Sequence, residues 1–156
     1  MCKNYRQTLI ETDAALADKS AATPIREMAK YYKAKSHLAL GEREMALPIL
    51  EELSVKNETE YGAEAAFLMI SDAYDAGNFE SVEQQTFKLS DSATPQTYWL
   101  AKSFIILGDS YAERGNLEQA EATFNSIKEN YKPQTEDDIA DMLKIRLNKL
   151  SKMKKQ

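Results

Sequence analysis

Cysteine, histidine, glycine and proline are scarce in this sequence: one Cys, one His, five Gly and four Pro in 156 residues. Each shortage excludes a class of function. A lone Cys2 cannot form an internal disulfide and leaves the redox compartment open. Cys2 also has no plausible neighbouring base and reads as a frayed terminal thiol rather than a nucleophile. One His and one terminal Cys cannot assemble a nitrogen–sulfur zinc site. The acidic runs Glu51-Glu52 and Glu136-Asp137-Asp138 read as solvated faces or helix starts, so no metal or other cofactor is expected. No two glycines fall within five residues of each other, so no phosphate-cradling loop exists. No Gly-x-Ser-x-Gly elbow is present either. His37 falls at a packing position on a helix and reads as a core or semi-buried histidine. The reactive inventory is that of a non-enzyme.

Long hydrophobic runs are also missing. The longest, Ala65-Ala66-Phe67-Leu68-Met69-Ile70, is far too short to span a bilayer, so no membrane insertion is expected. Met1-Cys2-Lys3-Asn4-Tyr5-Arg6 has no apolar signal core and opens directly in a polar helical pattern, as in a piece cut from a longer protein. The net charge of −5 is unevenly spread. Residues 144–156 hold six basic groups and no acid, leaving 14 basic against 25 acidic residues elsewhere, a net of −11. An acidic body argues against nucleic acid as partner. Acids at 136–141 followed by bases at 144–155 complement the dipole of a single terminal helix.

What is present is helical periodicity. Apolar residues recur at three- and four-residue spacing through most of the chain. Eight helices are expected, over about 4–18, 23–41, 42–55, 60–76, 79–90, 94–115, 116–131 and from 135 onward. Thr23-Pro24 and Thr94-Pro95 read as hydroxyl N-caps followed by proline at the first helical position. Asn116 reads as the cap of the seventh helix, and Thr135 with Asp138 as a capping box. Pro48 is placed near the first turn of the third helix, where a missing N–H costs little.

The helices repeat. Gly41, Gly77 and Gly115 lie 36 and 38 residues apart. Five residues beyond each stand Ala46, Val82 and Ala120; nine beyond, Leu50, Thr86 and Phe124; twelve beyond, Leu53, Leu89 and Ile127. Such a period marks a helical solenoid. In the third repeat, Phe104, Leu107-Gly108, Tyr111, Gly115-Asn116-Leu117, Ala120 and Phe124 resemble the tetratricopeptide repeat (TPR). Phe104 stands for the family's Trp, and Pro133 comes one residue late. The first repeat keeps Ala34, Leu38, Gly41 and Ala46 but has His37 for Tyr. The second, Phe67 to Tyr74, fits with one residue dropped before Gly77, Ser71 standing for the glycine and Thr86 for the second aromatic. Asn130-Tyr131-Lys132-Pro133 also resembles repeats of bacterial cell-envelope TPR proteins, a resemblance that adds a periplasmic or cell-envelope parent to a cytoplasmic one and leaves the compartment open.

The resemblance implies an all-α fold, a right-handed superhelical stack of antiparallel helix pairs with about three repeats plus flanking helices. The expected divisions are 1–22 as part of a preceding repeat, 23–57, 58–93 and 94–133 as repeats, and 134–156 as a cap. The cap turns Ile139, Leu143, Leu147 and Leu150 inward. The resemblance further implies a protein- or peptide-binding scaffold whose groove is lined by the first helix of each pair. By position these residues are Met28, Tyr31, Lys35, Phe67, Ser71, Tyr74, Lys102, Ile105 and Asp109. Each reads equally as surface or inter-repeat core. A mixture of Tyr, Phe and Lys suits an apolar-anchored peptide with acidic groups. The paired Lys, Asn and Arg by which relatives clamp chaperone C-termini are not matched. The alternative is a self-association module, in which one end of the stack pairs with another copy or with the rest of a parent protein.

Overall fold

The computed structural model describes residues 2–133 and 135–155; the Cys2 thiol lies outside the described residues. Eight helices form, and no strand occurs among the described residues: α1 (Cys2–Ala17), α2 (Thr23–Ala39), α3 (Arg43–Ser54), α4 (Glu60–Asp75), α5 (Phe79–Asp91), α6 (Thr97–Glu113), α7 (Leu117–Asn130) and α8 (Ile139–Met153). The chain divides into two compact units, residues 1–69 and 70–156, the division falling inside α4. In the first unit α2 packs between α1 and α3. Its core joins Tyr31 and Ala34 of α2, Leu50 and Leu53 of α3, and Ala65 of α4. In the second unit α6 packs between α5 and α7, and α8 lies against both α7 and α6. Ile105, Leu107, Phe124 and Ile139 are its largest fully buried side chains together with Ile70.

The three turn glycines do the same work three times. Gly41, Gly77 and Gly115 all have positive φ, at 77°, 70° and 79°, which glycine adopts without steric cost. At the first turn, Glu42 N–H donates to His37 O (2.8 Å) and Gly41 N–H to Leu38 O (3.0 Å). The same pair of bonds recurs as Asn78 to Ala73 (2.9 Å) with Gly77 to Tyr74 (2.9 Å), and as Asn116 to Tyr111 (2.9 Å) with Gly115 to Ala112 (3.0 Å). This is the Schellman arrangement, which satisfies the orphan carbonyls at a helix end and reverses the chain. It closes α2–α3, α4–α5 and α6–α7 into hairpins.

The other helix ends differ from the sequence reading. Thr23 is already helical, and the N-cap position falls to Ala22, with no side-chain cap bond. Thr94-Pro95 precedes α6: Thr94 Oγ1 accepts from Gln96 N–H (3.1 Å) in a local turn, and Gln96 takes the cap position. Asn116 occupies the cap of α7 without a side-chain bond, whereas Asn78 does cap α5 by accepting from Ser81 N–H (3.2 Å). At α8 it is Asp137, not Thr135, that accepts from Ile139 N–H (3.0 Å). Pro48 is the sixth residue of α3, past the first turn, so the Glu44 carbonyl loses its helical partner.

Two glycines mark close approaches. A Cβ on Gly108 would lie 2.4 Å from Phe124 Cε1, so α6 and α7 meet here at the small-against-aromatic contact the repeat pattern requires. Gly62 is tighter. Its Cβ would lie 2.0 Å from the Lys56 carbonyl oxygen, and its N–H is capped by Thr59 Oγ1 (3.1 Å). His37 is buried, as its register implies, and its Nδ1 lies 2.7 Å from Glu42 Oε2.

Candidate functional site

The residues expected to line a groove are mostly engaged within the protein. In the first unit, Tyr31 is buried; its hydroxyl donates to Glu64 Oε2 (2.7 Å) and accepts from Lys35 Nζ (2.9 Å). Lys35 Nζ also donates to Glu64 Oε1 (3.0 Å), closing a three-residue network between α2 and α4. The Tyr31 ring rests 4.6 Å from that of Tyr61. Burial, with the Glu64 carboxylate beside it and Lys35 opposing, pushes the Tyr31 phenol up to about 12. Glu64 is 8% exposed, so this network neutralises a buried carboxylate rather than presenting charge to a ligand. Met28 is exposed and Phe67 half-buried.

In the second unit, Asp109 receives a bidentate grip from Arg146 of α8: Nε to Oδ1 at 2.8 Å and Nη2 to Oδ2 at 2.7 Å. This pair ties α6 to α8 much as the Tyr31 network ties α2 to α4. Tyr74 is half-buried near Asp109, and its phenol is raised, first by burial and then by Asp109 and Glu113. Ser71 is half-buried. Lys102 Nζ stands 5.3 Å over the Tyr98 ring and 5.6 Å over Trp99. Ile105 departs from the expectation: it is fully buried, because an isoleucine at core spacing between two packed neighbours of α6 has no surface to offer.

Two of the open concavities on this unit lie along α6. One, of 430 Å³, is walled by Tyr74, Asp109, Glu113, Ile145, Arg146 and Met153. It brings Tyr74 and Asp109 together with α8, which the sequence reading treated only as a cap. Ile145 is 67% exposed there. The other concavity is larger and was not foreseen: a cleft of 640 Å³ over α6, between α5 and α7. Phe87 (44% exposed) and Phe104 meet edge to face at 6.2 Å on one side. Leu100 and Leu107 lie in the floor, and Ala122, Thr123 and Ser126 form the α7 wall. Those three small side chains leave the cleft open. Lys132 is the one charged residue in its lining. One end is held by Tyr131, whose hydroxyl donates to Asp137 Oδ2 (2.6 Å), and by Tyr98, which donates to Asp138 Oδ1 (3.0 Å).

Among the described residues no cluster of His, Cys, Asp and Glu is arranged to hold a metal ion, and no helix is long and apolar enough to cross a membrane. Residues 102–132, which cover most of α6, all of α7 and the turn between them, match the family model of the tetratricopeptide repeat. No curated protein and no solved structure matches the chain. The match falls on the repeat whose glycine turn, Gly108–Phe124 contact and hairpin are described above, and two further hairpins share its turn geometry. Residues 102–132 are therefore similar to a tetratricopeptide repeat, within a chain that is all-helical among its described residues.

Proposed function

We propose that this chain is a non-catalytic scaffold that holds an uncharged, apolar-anchored segment of a partner protein in the cleft between α5 and α7. The observation that carries the reading is the cleft itself: 640 Å³ of mostly apolar lining, in a chain whose residues are 29% charged. Pockets that take ligands are apolar concavities with a few polar groups to fix orientation. Here Thr97, Gln119 and Asn130 supply those groups, and the half-exposed Phe87 supplies an aromatic of the kind that anchors interfaces. The small α7 wall lets a peptide backbone approach closely.

A second reading keeps the groove walled by Tyr74 and α8, favoured by the exposure of Ile145. The two are separated by panning a random peptide display library over the immobilised chain. Ser126→Arg fills the cleft from an exposed position, and Ile145→Glu alters the groove. Selected peptides should carry apolar anchors and lose affinity roughly tenfold or more on Ser126→Arg, as expected when a central anchor pocket is blocked. They should bind Ile145→Glu as they bind the wild type. The reverse pattern would transfer the function to the groove, and indifference to both would remove it from this unit.

A further inference from the structure

The cleft over α6 is framed by two seams of the same period. On its floor Thr97, Leu100, Phe104, Leu107 and Tyr111 of α6 follow at steps of three and four residues. On its wall Gln119, Thr123, Ser126 and Asn130 of α7 do the same. At the helical rise, the floor is about 21 Å long and the wall about 16 Å. Alternating steps of three and four residues form the ridges along which one helix lies lengthwise on another. Leu100 and Phe104 are only half-buried, so the floor seam keeps apolar surface after α6 has packed on α5 and α7.

Polar groups gather at the two ends of the cleft. The hairpin runs α6 and α7 antiparallel, so Thr97, Asn130 and Lys132 share one end and Gln119 stands at the other. Between the ends lie Phe87, Phe104, Leu107 and Ala122. The two α7 hydroxyls in that stretch are engaged by α7 itself: Thr123 Oγ1 donates to Gln119 O (2.8 Å), and Ser126 Oγ accepts from Asn130 Nδ2 (3.4 Å). An extended segment has an N–H and a C=O to satisfy at every residue, and those on its inner side would be buried here without partners. A helix has such groups only in its first and last turns. The lining holds no carboxylate, and its one cation, Lys132, stands at the end where α6 begins. Lys132 Nζ donates to Glu129 O (3.3 Å), and an ammonium carries three donors to share among carbonyls.

We infer, resting on the reading of this cleft as the binding site, that its occupant is an amphipathic α-helix of the partner protein, about three to four turns long, with an uncharged apolar stripe on the floor and its C-terminal end at Lys132. The negative end of the occupant's dipole then meets Lys132 and the positive first turn of α6, so the occupant lies antiparallel to α6. Its last carbonyls fall within reach of the ammonium, and its first N–H groups near the Gln119 side chain. The small side chains of Ala122, Thr123 and Ser126 let its axis come close to α7, since the distance between packed helices is set by the residues at the contact. An acid in the apolar stripe would be buried against Leu107 and Phe104 with no cation beside it.

Two display libraries of equal composition and of about 16 residues per peptide test this against the immobilised chain. One fixes apolar positions at the i, i+3, i+4, i+7 spacing of a helix, the other alternates them as in a strand. Binders are assigned to the cleft by loss of affinity on Ser126→Arg, with Ala122→Arg as a second blocking variant should Ser126→Arg lower the melting temperature. The helical library should supply the cleft binders, and a proline at their midpoint should weaken them roughly a hundredfold. A nitroxide at the C-terminal end of such a peptide should broaden the amide resonance of Lys132 and spare that of Gln119. Cleft binders drawn only from the alternating library, or helical-library binders that tolerate the proline, overturn the inference and leave the cleft as a site for an extended segment. Cleft binders from neither library overturn the reading of the cleft as a binding site, and the inference with it. A label that broadens Gln119 instead of Lys132 overturns the stated direction.

Discussion

At Gly108 a single methyl group would press to 2.4 Å from the ring of Phe124, a side chain with 1% exposure and no space to retreat. Gly108→Leu should therefore cost about 1–3 kcal/mol by overpacking, read as a lower urea midpoint with an unchanged slope. Unaltered stability would mean that α6 and α7 do not meet in this register. Gly62 sets a harder limit, because its neighbours are the Lys56 carbonyl oxygen and carbon, at 2.0 and 2.5 Å. A ring edge can tilt, but a backbone carbonyl moves only with its chain. Gly62→Ala should thus lower the melting temperature more than Gly108→Ala does, and equal losses would show that the α3–α4 loop yields. Gly108 was legible from the sequence because it belongs to a repeating pattern. Gly62 was not, because its constraint comes from one loop without a counterpart in the other repeats.

Among the helices, α8 is held by an apolar seam of Ile139, Leu143 and Leu150 and by one bidentate ion pair, Arg146 to Asp109. Both partners are less than a third exposed, so the pair is worth more than a surface salt bridge. Asp109→Ala should cost about 1–2 kcal/mol and leave Arg146 without its acceptor. Amide exchange should speed up in α8 more than in α6 or α7, and uniform acceleration would mean that α8 is not a separately docked element. Element existence was legible throughout, since a 3.6-residue period and glycine stops survive any local detail. Cap identity was not. Thr94 and Thr135 have the right chemistry for capping, but Gln96 and Asp137 stand nearer the first helical N–H groups once the chain direction entering each helix is fixed by packing. The internal partners of the expected groove residues were not legible for a related reason. Tyr31, Lys35 and Asp109 are engaged by Glu64 and Arg146, which lie 29 to 37 residues away and are paired by the stacking of helices.

Across the molecule, Tyr31, Tyr74, Tyr111 and Tyr131 all hold their phenol protons more tightly than a free tyrosine, burial being the first cause in each. Lys35 is likewise raised, its bonds to Tyr31 and Glu64 outweighing its own desolvation. A group whose pKa is raised by folding contributes stability that is complete below its unfolded value and is lost as pH climbs towards the folded one. For the tyrosines that window opens near pH 10 and, for Tyr31, closes at about 12. The melting temperature should therefore fall steeply above about pH 10, and Tyr31→Phe should make the fall shallower. A flat alkaline profile would mean that these rings are wetter than their packing indicates. The open cleft, by contrast, had no signature to read, because it is defined by what Ala122, Thr123 and Ser126 leave unfilled.

The three glycine turns carry one more implication, for how sequences of this kind can change length. Each joins its helices through three residues (40–42, 76–78 and 114–116), while the connections between hairpins run over 55–59 and 92–96. One residue added inside a turn would rotate the second helix by about 100° and swing its apolar stripe out of the hairpin. One added between hairpins only lengthens a bridge. Insertions and deletions should therefore accumulate at the bridges and be purged from the turns, so that each hairpin is inherited as an indivisible block.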